Sequence, residues 1–192
     1  GVFIPRPETE ELAELAIREF QKAPPYPRAL DIGTGTGVLA LALARARPDA
    51  EVWAVDISAR ALRAAQRNAT RLGVKIKLRY SDLFSGVRGK FHLIVANPPY
   101  VARDELVCLP RDVRAFDPRR ALDGGKDGLA LVSRVVEKAP AYLEPRGVLL
   151  LEIGPQQKEA LLALAKGQGE WAETLVLSDL CGRPRFFLGR RC

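Results

Sequence analysis

Short apolar strands alternate with helical segments along most of this 192-residue chain. The pattern predicts strands over Ala29–Ile32, Glu51–Val55, Lys75–Tyr80, Phe91–Ala96, Val148–Ile153, Glu173–Leu177 and Arg185–Leu188. It predicts helices over Glu8–Phe20, Val38–Ala46, Ser58–Leu72, Gly128–Leu143 and Gln156–Ala165. Because this alternation builds strand–helix–strand units, we expect an α/β fold with a mostly parallel, doubly wound sheet and an antiparallel last strand.

Composition excludes several other classes of protein. A chain that is 47% hydrophobic and 28% charged has the balance of a folded globular domain. No apolar run approaches the roughly 20 residues that a membrane-spanning helix needs, and no secretion signal opens the chain, so we expect a cytoplasmic protein without a membrane contact. The chain has no Met, which suggests that it is one domain, residues 1–192, of a longer protein.

Metal chemistry finds little support in the sequence. The cysteines Cys108, Cys181 and Cys192 form no C-x-x-C pair, and the single histidine, His92, lies inside a predicted strand. We therefore expect no metal and interpret His92 as a structural residue of the sheet. The net charge of +7 is spread along the chain and leaves the partner open.

A glycine-rich turn joins the first predicted strand to the next helix. Its residues are Asp31, Ile32, Gly33, Thr34, Gly35, Thr36 and Gly37. The glycines let a ligand approach the backbone, and the helix N-terminus offers free N–H groups. Asp56 ends the next strand, where a carboxylate accepts hydrogen bonds from both hydroxyls of a ribose. These features predict a nucleotide-like ligand.

Two features favour S-adenosylmethionine over a nicotinamide cofactor. The turn lacks the G-x-G-x-x-G spacing that binds a pyrophosphate, and Asp31 would repel an anion but suits a cationic ligand. After the third strand, Asp82 is placed to accept a hydrogen bond from an adenine amino group, while Leu83 and Phe84 pack on its ring. A dehydrogenase is the weaker alternative, because no partner for hydride transfer is identifiable.

The tetrapeptide Asn97-Pro98-Pro99-Tyr100 ends the fourth strand at the same edge of the sheet. Two prolines stiffen the turn and remove backbone donors, which leaves the Asn97 side chain and the Pro98 carbonyl as fixed acceptors and Tyr100 as an aromatic wall. Such a site suits a planar NH2 group. Two acceptors can orient its nitrogen and stabilise the charge that appears during methyl transfer, without a strong base.

With these motifs in place, the chain resembles the catalytic domain of the HemK/PrmC family of protein N5-glutamine methyltransferases. The matching segments begin at Phe3-Ile-Pro-Arg-Pro-Glu-Thr9 and include the glycine turn, Asn97 to Tyr100, Ala121-Leu-Asp-Gly-Gly125, Glu152-Ile-Gly154 with Gln157, and Asp179 with Gly182 and Arg185. Asp117-Pro118 departs from the usual Glu-Pro. The small helical N-terminal domain that these enzymes carry would precede Gly1 and is expected to help bind the protein substrate.

The resemblance implies a class I S-adenosylmethionine-dependent methyltransferase with a Rossmann-like sheet. It implies that Gly33 to Gly37, Asp56, Leu83 and Asn97 contact the methyl donor, and that Asn97, Pro98, Pro99 and Tyr100 hold the substrate, with Arg6, Glu8 and Thr9 nearby. The implied substrate is the glutamine of the Gly-Gly-Gln motif in peptide chain release factors.

Other functions share much of this pattern. A ribosomal-protein glutamine methyltransferase has the same fold and motif, and N6-adenine methylation of DNA or RNA uses Asn-Pro-Pro-Tyr on a flipped base. The catalytic sheet takes up nearly all of the chain and leaves no room for a recognition module, which speaks against a nucleic-acid partner. A binding module without turnover is a further alternative, against which the intact Asn97 and Tyr100 argue.

Overall fold

The computed structural model describes Val2 and residues 5–192, and its centre is a seven-stranded sheet. The strands are β1 (Arg28–Ile32), β2 (Glu51–Asp56), β3 (Lys77–Tyr80), β4 (Phe91–Ala96), β5 (Leu143–Glu152), β6 (Trp171–Ser178) and β7 (Pro184–Arg191). Their order in the sheet is β3-β2-β1-β4-β5-β7-β6. The strands β1 to β5 are parallel, and β7 is antiparallel to both of its neighbours. The predicted mostly parallel sheet with an antiparallel last strand is confirmed.

Helices cover both faces of the sheet. They are α1 (Pro7–Phe20), α2 (Val38–Ala46), α3 (Ala59–Leu72), α4 (Arg111–Phe116), α5 (Ala130–Tyr142) and α6 (Lys158–Gln168). Side chains alternate between the faces of a strand, so β4 sends Leu93 and Val95 into one core with α1 and α2, and Ile94 into the other with α5 and α6. The near-continuous apolar strands of the sequence reflect this burial on two sides.

The ends of α3 agree with those predicted from Ser58 and Gly73. The Ser58 hydroxyl accepts a hydrogen bond from the backbone N–H of Ala61 at 3.3 Å, and Gly73 ends the helix in the left-handed region at φ +65°. His92 lies in β4, where its Nδ1 accepts a hydrogen bond from the backbone N–H of Arg28 at 3.1 Å. This contact supports the structural interpretation of that histidine.

The largest difference from the predicted elements is the start of β5. The sequence predicts Val148, but the strand begins at Leu143, which is paired with Phe91 across a register shift. Pro145 and Gly147 are residues that normally end a strand, and Arg146 has a positive φ of 62°. The irregular pairing accommodates them, so the strand is longer than its composition indicates. Smaller shifts occur in β3, which begins at Lys77, and in α6, which begins at Lys158.

Residues 101–127 follow β4 as a long connection of short helical pieces. They comprise the 3-10 turns Arg103–Cys108 and Arg119–Ala121 on either side of α4. Within the described residues, no helix has both the length and the apolar character needed to cross a membrane.

The topology brings four strand ends to one edge of the sheet. Because β1 lies between β2 and β4, the chain winds in opposite directions from it, and a crevice opens at the carboxyl ends of these strands. The candidate site lies in that crevice.

Candidate functional site

A cavity of about 690 Å³ occupies the crevice and brings together most of the site residues predicted from the sequence. Those that line it are Thr9, Asp31, Gly33, Thr34, Gly35, Thr36, Asp56, Asp82, Leu83, Asn97, Pro98 and Pro99. Four predicted residues, Arg6, Glu8, Gly37 and Tyr100, are not part of the lining. Pro118, Arg120 and Ala121 of the 101–127 connection also border the cavity.

The glycine-rich turn is anchored to the end of β2. The backbone N–H groups of Gly33 and Thr34 both donate to the carbonyl of Val55, at 2.9 and 3.0 Å. Gly33 and Gly35 have positive φ values of 72° and 57°, a conformation that favours glycine. A Cβ built on Gly33 would meet no atom within 4 Å, so the missing side chain leaves open space beside the backbone.

Gly37 serves the packing of two helices instead of an approach by a ligand. It is also in the left-handed region, at φ +88°, but a Cβ there would lie 3.0 Å from the Cβ of Ala65. Glycine is therefore needed at this position for the close packing of α2 against α3.

Asp31 is a buried carboxylate at the floor of the cavity. Its Oδ2 accepts hydrogen bonds from the Thr34 hydroxyl at 2.6 Å and from the backbone N–H of Ala40 at 3.2 Å. Its Oδ1 is buried and has no partner among the described residues. Burial raises the pKa of Asp31 to about 7, with the nearby carboxylate of Asp56 adding to the effect. A positively charged ligand group would supply the missing partner.

Asp56 is held by two backbone groups at the carboxyl end of β2. Its Oδ1 accepts from the N–H of Ser58 at 2.8 Å, and its Oδ2 accepts from the N–H of Gly35 at 3.0 Å. Each carboxylate oxygen can accept a further hydrogen bond, so both remain able to bind a pair of hydroxyls.

The turn after β3 carries Asp82, Leu83 and Phe84. The Asp82 side chain is 51% exposed and lies 3.6 Å from Arg134, and Leu83 borders the cavity with a positive φ of 48°. Phe84 does not lie beside them as the sequence suggested. It is buried in the core, where it stacks on Tyr142 at 4.5 Å, because its large ring is more stable away from water than at the cavity rim.

A chain of hydrogen bonds runs from Asn97 into the protein interior. Asn97 Nδ2 donates to the Thr9 hydroxyl at 2.9 Å, and Thr9 donates to Glu152 Oε2 at 3.2 Å. The Tyr100 hydroxyl donates to the other oxygen, Glu152 Oε1, at 2.9 Å. Among the described residues, nothing donates to Asn97 Oδ1 or to the Pro98 carbonyl, so both stay open as acceptors at the cavity.

Arg185 completes this network from β7. Its guanidinium lies 3.4 Å from the Tyr100 hydroxyl, 3.3 Å from the carbonyl of Ile153 and 3.6 Å from Asp179. Burial raises the pKa of Glu152, and burial together with the neighbouring Glu152 raises the pKa of Tyr100 well above its usual value. The Tyr100 hydroxyl is thus held in the interior and is not available to act as a base.

Sequence reasoning gave no individual role to Glu152 or Arg185. A signal for both exists, since each is a charged residue that directly adjoins an apolar run of its strand, residues 148–151 for Glu152 and residues 186–188 for Arg185, and buried charges are rare unless they are paired.

The predicted residues Arg6 and Glu8 tie the start of α1 to neighbouring loops. Arg6 donates to Asp117 at 2.7 Å, and Glu8 lies 3.7 Å from Arg183. Phe3 and Ile4 of the same predicted motif lie outside the described residues.

The backbone after the Asn97-to-Tyr100 turn is clamped by Gln157. Its Nε2 donates to the carbonyls of Tyr100 at 3.1 Å and Gly128 at 2.8 Å. A Cβ on Gly128 would lie 2.3 Å from the Tyr100 carbonyl oxygen, so only glycine allows these two segments to meet.

The described residues include no cluster of three or more His, Cys, Asp or Glu side chains that could hold a metal ion.

Comparison with known proteins gives consistent results. The methyltransferase small domain family matches residues 6–108, more than half of the chain. The release factor glutamine methyltransferase of Cereibacter sphaeroides is 45% identical over 188 residues, which cover 97% of this chain and 66% of that protein. The one from Moorella thermoacetica is 43% identical over 194 residues, with coverage of 100% and 68%. The chain thus spans about two thirds of the length of these relatives.

Solved structures share the fold. A release-factor-specific protein-(glutamine-N5) methyltransferase from Alicyclobacillus acidocaldarius is 28% identical, with a TM-score of 0.61 and coverage of 98% of this chain and 94% of that one. A ribosomal protein L11 methylase from Lactobacillus delbrueckii is 24% identical, with a TM-score of 0.71 and coverage of 100% and 82%. The sheet described above is therefore that of the class I, Rossmann-like methyltransferases.

Proposed function

The chain belongs to the family of release factor glutamine methyltransferases, and from this premise we propose that it methylates the side-chain amide nitrogen of a glutamine with S-adenosylmethionine as donor. The proposed substrate is the glutamine of the Gly-Gly-Gln motif in a peptide chain release factor. The proposal includes a role in translation termination and a cytoplasmic location, where that substrate is made.

The residues of the cavity suit the methyl donor. When bound, S-adenosylmethionine supplies a methyl group on a positively charged sulfur. The unpartnered Oδ1 of Asp31 fits an ammonium group, the open space beside Gly33 fits a ligand lying against the backbone, and Asp56 fits a ribose diol. Asp82 and Leu83 border the same cavity, at the place where an adenine is expected.

Asn97 and Pro98 account for the choice of acceptor. The two open oxygens, Asn97 Oδ1 and the Pro98 carbonyl, would accept the two N–H bonds of a primary amide and hold its nitrogen in the cavity. An amide nitrogen is a poor nucleophile because its lone pair is delocalised. The same two acceptors would stabilise the positive charge that develops on the nitrogen as its bond to the methyl carbon forms and the donor's sulfur–methyl bond breaks, and the nitrogen would then release one proton to water.

The observation that carries the proposal is the orientation of Asn97. One N–H of its NH2 group is donated to Thr9, and among the described residues nothing donates to its Oδ1, which stays open as an acceptor beside the Pro98 carbonyl. A group that brings two N–H bonds matches this site, whereas a carboxylate or a carbonyl does not.

The test offers several acceptors to the protein with methyl-labelled S-adenosylmethionine. They are an unmodified release factor, the same factor with the Gly-Gly-Gln glutamine replaced by alanine, a ribosomal protein preparation and duplex DNA. We expect label in the first alone. Label in DNA or in the ribosomal proteins, with none in the release factor, would replace the proposed substrate.

A further inference from the structure

The hydrogen bonds that link Asn97, Thr9 and Glu152 restrict where the hydroxyl proton of Thr9 can lie. Thr9 has a single hydroxyl proton, and it is donated to Glu152 Oε2 at 3.2 Å. The hydroxyl oxygen of Thr9 is then only an acceptor toward Asn97, at 2.9 Å. An ionised Glu152 cannot reverse this polarity, because a carboxylate accepts hydrogen bonds and donates none.

This constraint fixes the side-chain amide of Asn97. If the amide were rotated by 180°, its oxygen would face the Thr9 oxygen with no proton between them. Thr9 is 3% exposed and Glu152 is 2% exposed, so water is not available to correct the mismatch. The amide oxygen of Asn97 is therefore kept on the side of the cavity.

We propose that Thr9 and Glu152 are positioning residues that keep the Asn97 amide oxygen turned toward the acceptor site. The inference rests on the proposed function, since it gives a purpose to that oxygen only if an NH2 group is to be bound. Thr9 acts through its contact with Asn97, and Glu152 acts through Thr9.

The negative charge on Glu152 determines the direction in which the hydrogen bonds from Asn97 through Thr9 run. The groups that face it are Thr9 and Glu8 from α1, Tyr100 from the turn after β4, and Arg185 from β7, with Asp179 behind Arg185. A protonated Glu152 can donate to Thr9, whose own proton is then free for Asn97 Oδ1. Protonation of Glu152 thus permits the unproductive orientation, and methyl transfer is lost as the pH falls.

The first experiment compares Thr9→Val with Thr9→Ser, and uses Thr70→Val as the matched control. Thr70 lies exposed on α3 and donates to the Gln66 carbonyl, away from the cavity. We expect Thr9→Val to lower kcat by roughly 10- to 100-fold without changing the Kd for S-adenosylmethionine, because a buried hydrogen bond is lost but donor contacts are not. Thr9→Ser keeps the hydroxyl and should recover much of that loss, and Thr70→Val should match the wild type.

The second measurement is the pH profile of kcat at saturating donor. The wild type should lose activity on the acid side as Glu152 takes up a proton. Glu152→Gln keeps an acceptor for Thr9 but cannot ionise, so its acid limb should be absent even if its kcat is lower. An unchanged acid limb in Glu152→Gln would contradict the assignment.

A readout without turnover separates this inference from the proposed function. In protein labelled with ¹⁵N-asparagine, the Asn97 NH2 resonances, identified by their loss in Asn97→Asp, should report a hydrogen-bonded amide in the wild type and a freely solvated one in Thr9→Val. They should also shift with pH in the wild type and not in Glu152→Gln. If these resonances are the same in all variants, Thr9 and Glu152 do not orient Asn97, whichever acceptor the enzyme methylates. If they change as expected but no release factor is labelled, the positioning holds and the proposed substrate fails.

Discussion

The two sides of the cavity differ in where their carboxylates lie. On the donor side, defined by Asp31, Gly33, Gly35 and Asp56, two carboxylates lie directly on the cavity, and one has an oxygen without a partner. On the acceptor side, defined by Asn97, Pro98, Thr9 and Glu152, the carboxylate lies behind Thr9, and a neutral amide faces the cavity. The difference indicates that one side is built to receive a cation and the other to receive an uncharged amide.

The two sides should therefore respond to different perturbations. Burial of Asp31 brings its pKa to about 7 and makes donor binding sensitive to pH near neutrality. On the acceptor side, the buried hydrogen bonds make turnover sensitive to geometry and to the ionisation of Glu152.

The largest effect is expected from Asn97→Ala, which removes the oriented acceptor. We expect kcat to fall by about 10³-fold, because the amide nitrogen loses both its orientation and part of its charge stabilisation. Calorimetric titration with S-adenosylmethionine should show donor binding retained. Full turnover in this variant would rule out the proposed role of Asn97.

Gly128→Ala should disturb the acceptor side through the backbone. A Cβ at this position would lie 2.3 Å from the Tyr100 carbonyl oxygen, and φ is +77°. We expect the free energy of unfolding to fall by about 3 kcal/mol, measured by urea denaturation, with methyl transfer impaired more than donor binding. Gly167→Ala is the control, since it lies in α6 with no atom within 4 Å of its Cβ, and there alanine should stabilise the protein slightly. Equal stability of the two variants would show that the Gly128 backbone can relax.

Asp31 should give the donor side its pH dependence. With a pKa of about 7, Asp31 is protonated below neutrality and cannot pair with an ammonium group. Donor affinity should therefore rise by up to about tenfold per pH unit as the pH increases toward 7, and then level off. Asp31→Asn should remove this dependence and weaken binding by roughly 10- to 100-fold. Binding titrations of both proteins between pH 5.5 and 7.5 would test this. If the pH dependence of donor affinity persists in Asp31→Asn, Asp31 is excluded as its source.

The smallest effect is expected from Asp82→Ala. Because the Asp82 side chain is 51% exposed, a hydrogen bond from it to an adenine competes with water, and the donor Kd should rise only about threefold. The comparison is Glu159→Ala, an exposed carboxylate on α6 that should leave the Kd unchanged. A loss of tenfold or more at Asp82 would place the donor side's main anchor there instead of at Asp31.

The sequence was far more informative about the donor side than about the acceptor side. The donor side is local, since Asp31 accepts hydrogen bonds from Thr34 and Ala40, at most nine residues away, and Asp56 lies 21 residues from Gly35. Such short-range contacts can be predicted directly from the residues that form turns and end strands. The sheet was equally predictable, because its alternating apolar strands leave few topologies.

The acceptor side depends on contacts that no local pattern encodes. Asn97 meets Thr9 across 88 residues, Thr9 meets Glu152 across 143, and Tyr100 meets Glu152 across 52. Asn97 itself was predicted from its motif, but the direction of its amide and the charge behind it required the structure. The start of β5 was missed for a related reason, because Pro145 and Gly147 are tolerated only through the irregular pairing with β4.

The position of β7 has a consequence for the order in which the protein can assemble. Residues 184–191 pair with β5 on one side and β6 on the other, and they deliver Arg185 to Tyr100. During synthesis, the glycine-rich turn and its neighbours emerge long before this strand. A nascent chain can thus complete its donor side early, while β5 remains an unpaired edge prone to association with other strands. Arrival of β7 closes that edge and brings Arg185 to the network behind Asn97, so the growing chain acquires competence for the acceptor only after its donor side.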